Sequence, residues 1–572
     1  MPDDETLNSR GTPPVSLLVT ALATTFAIYV LHWLVQRKRF IDACNRIPGP
    51  SMNCDSSNMY HPWLGHLGPI LGSVGQIPDN PQQPLLIPLF TRWSREHAAA
   101  GIFRIWAFNP YRLAFARISV TVFGPDLVRQ LLESPTASKK LVKDTRVFAV
   151  AEAVVGSSLL ALNDTPQWKH QRKLTAPAFH VTVLEHACRV ATDLLHKTVF
   201  AEWDKAGPTV SVEAAEWSNR LATEVLGIVA FSHSFGGLAV YQQHAAIREE
   251  TLYDTYQALL TTMASRLRSI SLLLSYLPTK ENLEFNRHSR RLSRVIQEII
   301  QERLQNETAV TTTSTTSSSS SSSSNSPDTK KDLLSRLLLR DENGERLTLP
   351  YLHGNVRMFL FAGHDTTAST LAYALWELAT QPETQERLRK EVDELFESLP
   401  DGEQPTYKQY MQLRYLDAVV KETLRLHAPA GIARRAAEDI TLNKGDRTFV
   451  IPKDASVYVF PLYTHLSKEA WEDRPETFVP ERFLDEQDAA AAGGARQSSK
   501  TQTKTPWFPF SVGPRNCLGQ SLANAELKTI ISQIIRRYTV RPSKGAAEPI
   551  PILLLTIKPH QVLLDFERRP LV

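Results

Sequence analysis

Cysteine is nearly absent from this chain: Cys44, Cys54, Cys188 and Cys517 are the only four in 572 residues. They lie far apart, show no Cys-x-x-Cys spacing and are too few to staple so long a chain, which excludes a disulfide framework and fits a reducing compartment for the folded part. Net charge is scarce as well. Lys and Arg total 64 against 60 Asp and Glu, a balance of +4, too small to argue for nucleic acid as a partner. No internal repeat is found. What is present suffices for a large core, since 42% of residues are hydrophobic and 22% charged, near the globular average. The length fits one large catalytic unit with appendages as well as it fits several domains.

Residues 15–35, VSLLVTALATTFAIYVLHWLV, hold no charge except a partial one on His32. As a helix, about 21 such residues span about 31 Å, one hydrocarbon core. A cleaved signal peptide and a buried entry helix are the alternatives. Asp3, Asp4 and Glu5 before the run argue against the first, and the length favours a span over the second. Residues 1–14 then form a short tail, 15–35 a single-pass transmembrane anchor and 36–50 a basic, proline-rich linker. Arg37, Lys38 and Arg39 place the body, residues 51–572, on the cytosolic side, which for such an anchor means the endoplasmic reticulum membrane. A second attachment surface is expected near residues 59–77 if the body stays bound without its anchor.

The sequence IPGP at residues 47–50 fixes dihedrals and removes amide donors, so no helix or central strand is expected to run through it. Residues 307–328 (ETAVTTTSTTSSSSSSSSNSPD) and 488–505 have nothing to bury and read as solvated insertions. The acceptor triplet Asn306-Glu307-Thr308 would stay unmodified in the cytosol. Elsewhere the pattern is mostly helical: RLSRVIQEIIQERL, GNVRMFLFAGHDTTASTLAYALWELA and ETQERLRKEVDELF repeat apolar residues every three or four positions. FRIWAF, LAFARISVTVFG, RTFVI and SVYVFPLY read as strands.

Cys517 sits in PFSVGPRNCLGQ, where Phe510, Gly513, Arg515, Cys517 and Gly519 form Phe-x-x-Gly-x-Arg-x-Cys-x-Gly. Chance would give this on the order of 10⁻⁵ times per chain. A buried thiol is the better expectation for a random cysteine, but not at this spacing. A nucleophile would need a partner base that sequence alone does not exclude. The helical period after it, LGQSLANAELKTIISQIIRRY, puts the sulfur at a helix N-terminus, where amides and the helix dipole favour a thiolate. The segment resembles the haem-binding loop of the cytochrome P-450 family, whose cysteine thiolate is the axial iron ligand. The resemblance implies that Cys517 ligates the iron of haem b, that Gly513 and Gly519 allow a tight loop and close approach of the macrocycle, that Phe510 shields the sulfur and that Arg515 pairs with a propionate.

Three further segments match in order. KETLRLHAP holds Glu422 and Arg425, three apart and on one helix face. The resemblance implies that Arg482 of PERF joins them in a buried network behind the haem that serves folding and cofactor retention. AGHDTT places Gly363, Asp365 and Thr366 mid-helix, where glycine and threonine weaken a helix. The resemblance implies that Gly363 leaves room for dioxygen while Asp365 and Thr366 relay protons. The resemblance implies that Trp168 and Arg172 of WKHQR reach a propionate and that Arg434 or Arg435 of GIARRAAED supplies another contact.

The likeness covers about residue 47 to the C-terminus. It implies a mainly α protein with small β-sheets, the cytochrome P-450 fold preceded by a single N-terminal transmembrane helix. The leading expectation is a haem-thiolate monooxygenase that takes O₂, oxidises an apolar small molecule and acts in secondary metabolism. The substrate class is terpenoid, fatty acyl, steroid or polyketide-like. Pocket segments are expected near residues 148–160, 359–367, 430–433 and 553–555. No flavin or nicotinamide domain follows residue 572, so electrons are expected from NADPH through a separate flavoprotein reductase, with cytochrome b5 as a second donor. Lys528, Arg536 and Arg537 are the expected docking face. A reductase-independent isomerase or dehydratase, and a non-catalytic haem-binding protein, are the rival readings. The low-complexity insertions point to a eukaryotic, fungal source.

Overall fold

The structure is a computed structural model that describes residues 15–50, 86–107, 117–144, 152, 155–238, 251–268, 277–313, 332–338, 340, 344–471, 474–484, 507–553 and 556–570. The insertion at 488–505, the segment 59–77 and pocket residues 148–151, 153–154 and 554–555 lie outside them.

The helices that organise the molecule are, in chain order, α1 (Val15–Asn45), α2 (Leu86–Glu96), α3 (Pro166–Thr175), α4 (Val181–Leu194), α5 (Ala214–Phe231), α6 (Leu252–Arg268), α7 (Lys280–Thr313), α8 (Leu349–Thr380), α9 (Pro382–Glu397), α10 (Arg414–Leu426) and α11 (Gln520–Arg537). Helix α8 is apolar on nearly every side, from Leu352 through Leu371 and Leu375 to Ala379, the pattern of a helix enclosed by others. It packs along α5 and touches α7, α9, α10 and α11. Helix α11 is enclosed as well: Ala525, Ile530, Ile531, Ile534 and Ile535 are fully buried. One large apolar cluster joins α4, α5, α8, α10 and α11.

The strands form small sheets, as the sequence pattern predicts. β1 (Ile102–Ala107) pairs antiparallel with β2 (Arg117–Val122), β2 runs parallel to β8 (Ser456–Val459), and β8 pairs antiparallel with β5 (Ile432–Ala436), which meets β3 (Leu141–Val142). β4 (Thr209–Glu213), β12 (Leu563–Arg568) and β9 (Tyr538–Pro542) make a second sheet. β6 (Ile440–Lys444) with β7 (Arg447–Ile451), and β10 (Ile550–Leu553) with β11 (Ile557–His560), are hairpins.

The structure departs from the sequence expectations in four places. SVYVFPLY is not one strand: β8 ends at Val459 and Pro461–His465 turns into a short helix, because Pro461 has no N–H for the ladder but suits a first helical turn. Helix α7 runs to Thr313, seven residues into the tract expected as a loop. Helix α1 does not stop at Arg37–Lys38–Arg39 but continues to Asn45, so only residues 46–50 act as the joint before the body. There Ile47 is buried and the Pro48 carbonyl accepts the Arg104 amide at 2.8 Å. Finally, among the described residues no helix is long and apolar enough to cross a membrane. The side chains of residues 15–22, the first eight of the expected span, are outside the described set.

Candidate active site

The cysteine loop is shaped by backbone conformation and closed by its own hydrogen bonds. Gly513 has φ +75° and Ser511 φ +62°, the left-handed region that glycine enters without cost and serine does not. The Ser511 amide donates to the Phe508 carbonyl at 2.9 Å, the Asn516 amide to Gly513 at 3.1 Å, and the Cys517 amide to the Phe510 carbonyl at 2.9 Å. Phe510 therefore acts on Cys517 through its backbone, while its ring meets Trp507 edge-on at 6.4 Å. The Cys517 side chain keeps solvent-accessible surface although protein surrounds it on most sides; it lines a recess rather than the outer surface. Burial pushes its thiol up, and the amides of Gly519 and Gln520 together with Arg172 pull the other way. The expected N-terminal amides are thus in place, but the chain alone leaves the sulfur protonated, and a bound metal ion would be needed to hold it as thiolate. A Cβ at Gly519 would meet only Cys517 Sγ and Phe179, both at 3.9 Å, so a side chain there would fill the cradle beside the sulfur without striking the protein.

Cations cluster around this recess. Helix α3 is started by Thr165, whose hydroxyl accepts the Trp168 amide at 3.2 Å, and by Pro166 at its first position. It presents Arg172, which donates to the Asn516 carbonyl at 3.1 Å, and buried Trp168, on which the Arg515 guanidinium stacks at 3.9 Å. Arg515 also pairs with Asp164 and donates to the carbonyls of Leu159 and Leu162 at 3.2 and 2.8 Å. Successive residues of β5 point to opposite faces. Arg435 turns outward to Asp454 at 2.5 Å, whereas burial and then Arg515 push Arg434 down to about 10. Of the two arginines it is Arg434 that belongs to the cluster. Sequence reasoning missed Lys143, which is buried and held well below its ordinary range by burial, then by Arg434 and Arg515. Lys143, Arg434 and Arg515 lie near the Asp164 carboxylate and Arg172 lies near the Cys517 sulfur, a concentration of positive charge suited to a dianionic group.

On α8, Ala362 is exposed and Thr366 half-exposed in the middle of an otherwise enclosed helix, which gives that helix an open face. Phe179 links this face to the cysteine loop, lying edge-on to Phe359 at 5.5 Å and close to Gly519. The Thr366 hydroxyl donates to the Ala362 carbonyl at 2.7 Å. Asp365 turns away from it into the protein. It accepts from Asn219 of α5 at 3.2 Å and from Thr556, and lies 3.8 Å from Lys558 of β11. Gln257 of α6 extends the network by donating to Asn219 Oδ1 at 2.6 Å. Burial would raise the Asp365 pKa, but Lys558, His364 and the bonds from Thr556 and Asn219 outweigh it and hold the carboxyl below its ordinary range. The acid and the alcohol are thus neighbours in sequence that face different partners. A Cβ at Gly363 would come 3.0 Å from Leu226 Cδ2, so its missing side chain lets α8 close on α5. Just before the expected pocket segment 430–433, the Pro429 carbonyl accepts the Ile557 amide of the β10–β11 hairpin at 2.7 Å.

Glu422, Arg425 and Arg482 come together in one network. Glu422 and Arg425 are fully buried and paired through two bonds, at 2.7 and 2.8 Å. Arg482 Nε reaches Glu422 at 3.3 Å. Arg425 also donates to the carbonyls of His465, Pro475 and Thr477, satisfying nearly all of its fixed donors. By contrast, Lys528, Arg536 and Arg537 do not make an exposed docking face. Lys528 is buried against Asp417 at 2.7 Å, Arg537 pairs with Asp204, and Arg536 lies over the Phe396 ring at 3.9 Å. The period of α11 marks a helix but not which side is covered, and nearly all of it is.

The family model described as Cytochrome P450 matches residues 111–564. This chain belongs to the cytochrome P450 family. It is 28% identical to human cytochrome P450 4F3 over 561 residues, 96% of each chain. It is 28% identical to rat cytochrome P450 4A10 over 442 residues, 76% of this chain and 78% of that one. The crystal structure of the cytochrome P450DA heme domain shares the fold at a TM-score of 0.69 and 20% identity, covering 92% of this chain and 98% of its own. As a family member the protein is a monooxygenase that uses haem with a cysteine thiolate ligand, O₂ and electrons from a partner reductase. The residues around Cys517 fit such a group. An accessible sulfur with two amide donors, a cradle at Gly519 and four cations close by match a thiolate-bound iron and two propionates.

Proposed function

We propose that Cys517 ligates the haem iron and that Arg172, Arg434, Arg515 and Lys143 hold its propionates, in a membrane-attached monooxygenase for apolar small molecules. The observation that carries this is the accessible Cys517 sulfur, set at the start of α11 within a ring of cations and joined through Phe179 to the one open face of α8. Haem, when bound, supplies dioxygen activation at its iron. The chain holds and orients the cofactor, excludes water and manages protons. The Thr366 oxygen stands on the open face and holds a proton there, while ionised Asp365, oriented by Asn219 and Thr556, can accept a proton on the other side of the helix beside Lys558. The walls are apolar: Phe179, Phe359 and the hairpin beside Pro429. They favour a terpenoid, fatty acyl, steroid or polyketide-like substrate of secondary metabolism.

The membrane attachment is supported by α1, whose Phe26, Ile28, Tyr29, Leu31, Leu34 and Val35 are all exposed, an apolar surface too large for a solvated helix. A single-pass anchor in the endoplasmic reticulum with the body in the cytosol fits this surface and the basic cluster that follows it. The reductase, an NADPH-dependent flavoprotein, would dock where exposed Lys169 and Lys173 of α3 flank the cysteine loop; cytochrome b5 would compete for the same face. The test is the carbon-monoxide difference spectrum of reduced membranes holding wild type or Cys517→Ser. A thiolate-type band in wild type alone is expected, and equal spectra would remove Cys517 from the iron.

A further inference from the structure

Helix α11 begins three residues after Cys517 and carries, six residues further on, an acid that the haem site does not use. Glu526 is 3% exposed and its Oε1 has no hydrogen-bond partner. Its helix face is shared with Thr529 and Gln533 and turns toward α4. Thr529 lies beside the Cys188 thiol of α4. Gln533 accepts from His196 Nε2 at 2.9 Å and donates to the Tyr410 hydroxyl at 2.8 Å. His196 is exposed and stands in the π-helical turn Leu195–Phe200 that extends α4, a geometry frequent at functional sites. The seam between α4 and α11 therefore carries polar groups from the surface inward to a buried carboxyl.

The other titratable groups around α11 leave that carboxyl without a charged partner. On the opposite side of the helix, Lys528 pairs with Asp417 of α10 and acts on Glu391 of α9. Toward its carboxyl end, Arg536 answers Asp393 of α9 and Arg537 pairs with Asp204. Tyr373 of α8 answers Glu377 of its own helix. On the face of Glu526 itself, burial pushes up both Cys188 and Tyr410, which keeps them neutral, and Glu185 of α4 is exposed. An acid so placed stays protonated at neutral pH, because an unpaired buried charge costs far more than a neutral carboxyl. Burial alone raises its pKa from 4.5 to about 8.

We infer that Glu526 is a redox-linked proton acceptor: it binds a proton more tightly when the haem at Cys517 is reduced, so electron entry becomes harder as pH rises. This rests on Cys517 as the iron ligand. The partner reductase gives up one electron, the haem iron gains it, and solvent supplies the proton that closes the O–H bond of the carboxyl. The link is electrostatic. Glu526 lies about 9 Å along the axis from the first residue of α11, inside a core where charges are weakly screened. Negative charge added at the start of the helix raises the proton affinity of the carboxyl, and an ionised carboxyl opposes the electron by the same free energy. While neutral, Glu526 leaves the amino-terminal field of α11 at Cys517 unopposed.

The test is the reduction potential of the haem-loaded full chain, followed by spectroelectrochemistry from about pH 7 to about pH 9.5. Wild type is compared with Glu526→Gln, which keeps the shape of the side chain and cannot titrate. The wild-type potential should fall as Glu526 ionises, by about 59 mV for a tenfold change in its proton affinity, and the variant should lose that fall. Infrared difference spectra near the alkaline end should show a protonated carboxyl gained on reduction in wild type alone. Parallel potential curves, or no carboxyl gained, would overturn the inference. The reduced carbon-monoxide spectrum of the same samples reports the iron ligand separately: parallel curves with a thiolate-type band present reject the role of Glu526 and not that of Cys517.

Discussion

The backbone N–H of Phe508 donates to His465 Nε2 at 3.1 Å, and the His465 carbonyl in turn accepts from Arg425 at 2.9 Å. The Glu422–Arg425 pair is therefore joined to Phe508, the residue that leads into the cysteine loop, through one histidine. That histidine must be neutral to accept, and its surroundings make it so: burial and then the Arg425 charge push its pKa from 6.5 to about 3.

Acid should loosen the cysteine loop through His465. Its folded pKa lies below its unfolded one, so the stability it contributes is full above pH about 6.5 and is lost as pH falls toward 3. In His465→Gln the amide oxygen can still accept the Phe508 N–H but cannot titrate. The melting temperature of wild type should fall more steeply than that of the variant between pH 6.5 and 4. Parallel slopes would remove His465 from the acid response.

Glu526 of α11 has the opposite sign. It is buried, its Oε1 has no hydrogen-bond partner, and burial raises its pKa from 4.5 to about 8. A raised carboxyl costs stability as pH climbs from 4.5 to 8, because the unfolded chain ionises there and the folded one does not. Glu526→Gln should be more stable than wild type by about 2–4 kcal/mol near pH 8, with the gap closing toward pH 4.5. Denaturant melts at the two pH values decide it; a gap that does not depend on pH would mean that Glu526 is ionised in the fold.

Breaking the pair itself should be severe. Glu422→Ala strands Arg425 in a site with no exposure at either side chain, and losses of this kind run to about 3–5 kcal/mol. Arg425→Lys keeps the charge but cannot reach the carbonyls of His465, Pro475 and Thr477 together. Both variants should lose haem on purification and melt earlier; normal haem content in either would show that the network does not support the loop.

Local spacing made much of this site legible. Cys517 with its glycines and Arg515, and Glu422 three residues before Arg425, are set by chain geometry, and a motif records them. The partners that come from far along the chain left no such trace. His465 stands in YTHLS, an ordinary turn sequence, and Lys143 follows a two-residue strand. Asp365 meets residues 219, 556 and 558, and reaches 257 through Asn219, only because α5, α6 and the β10–β11 hairpin converge on α8. Helix ends were legible only where a breaker stood: Pro48 stops α1, whereas the charges of residues 37–39 do not. The docking lysine failed for a related reason, since charge on a helix predicts exposure only when one face is free, and Lys528 sits where α10 covers α11.

Lys558 should set the pH at which Asp365 works. It is the first of the groups that lower the carboxyl's pKa against burial. In Lys558→Met the pKa should rise, and the acid limb of product formed per NADPH should move to higher pH while haem content is kept. An unmoved limb would detach Asp365 from proton delivery and leave it as a tie between α8 and the hairpin.

Gly363→Ala separates packing from ligand space. The new methyl would lie 3.0 and 3.3 Å from the two Leu226 methyl carbons, too close by a few tenths of an ångström but against the free end of a flexible side chain. Overpacking costs about 1–3 kcal/mol, and replacing glycine by alanine inside a helix returns about 1 kcal/mol. The two nearly cancel, so thermal stability should change little. Adding Leu226→Val should relieve the contact, so that the double variant is more stable than the sum of the single changes predicts. Because the methyl points at α5 and not at the open face of Ala362 and Thr366, product formed per NADPH should stay at the wild-type level. A loss of that coupling with stability unchanged would instead assign Gly363 to the space over the reacting centre.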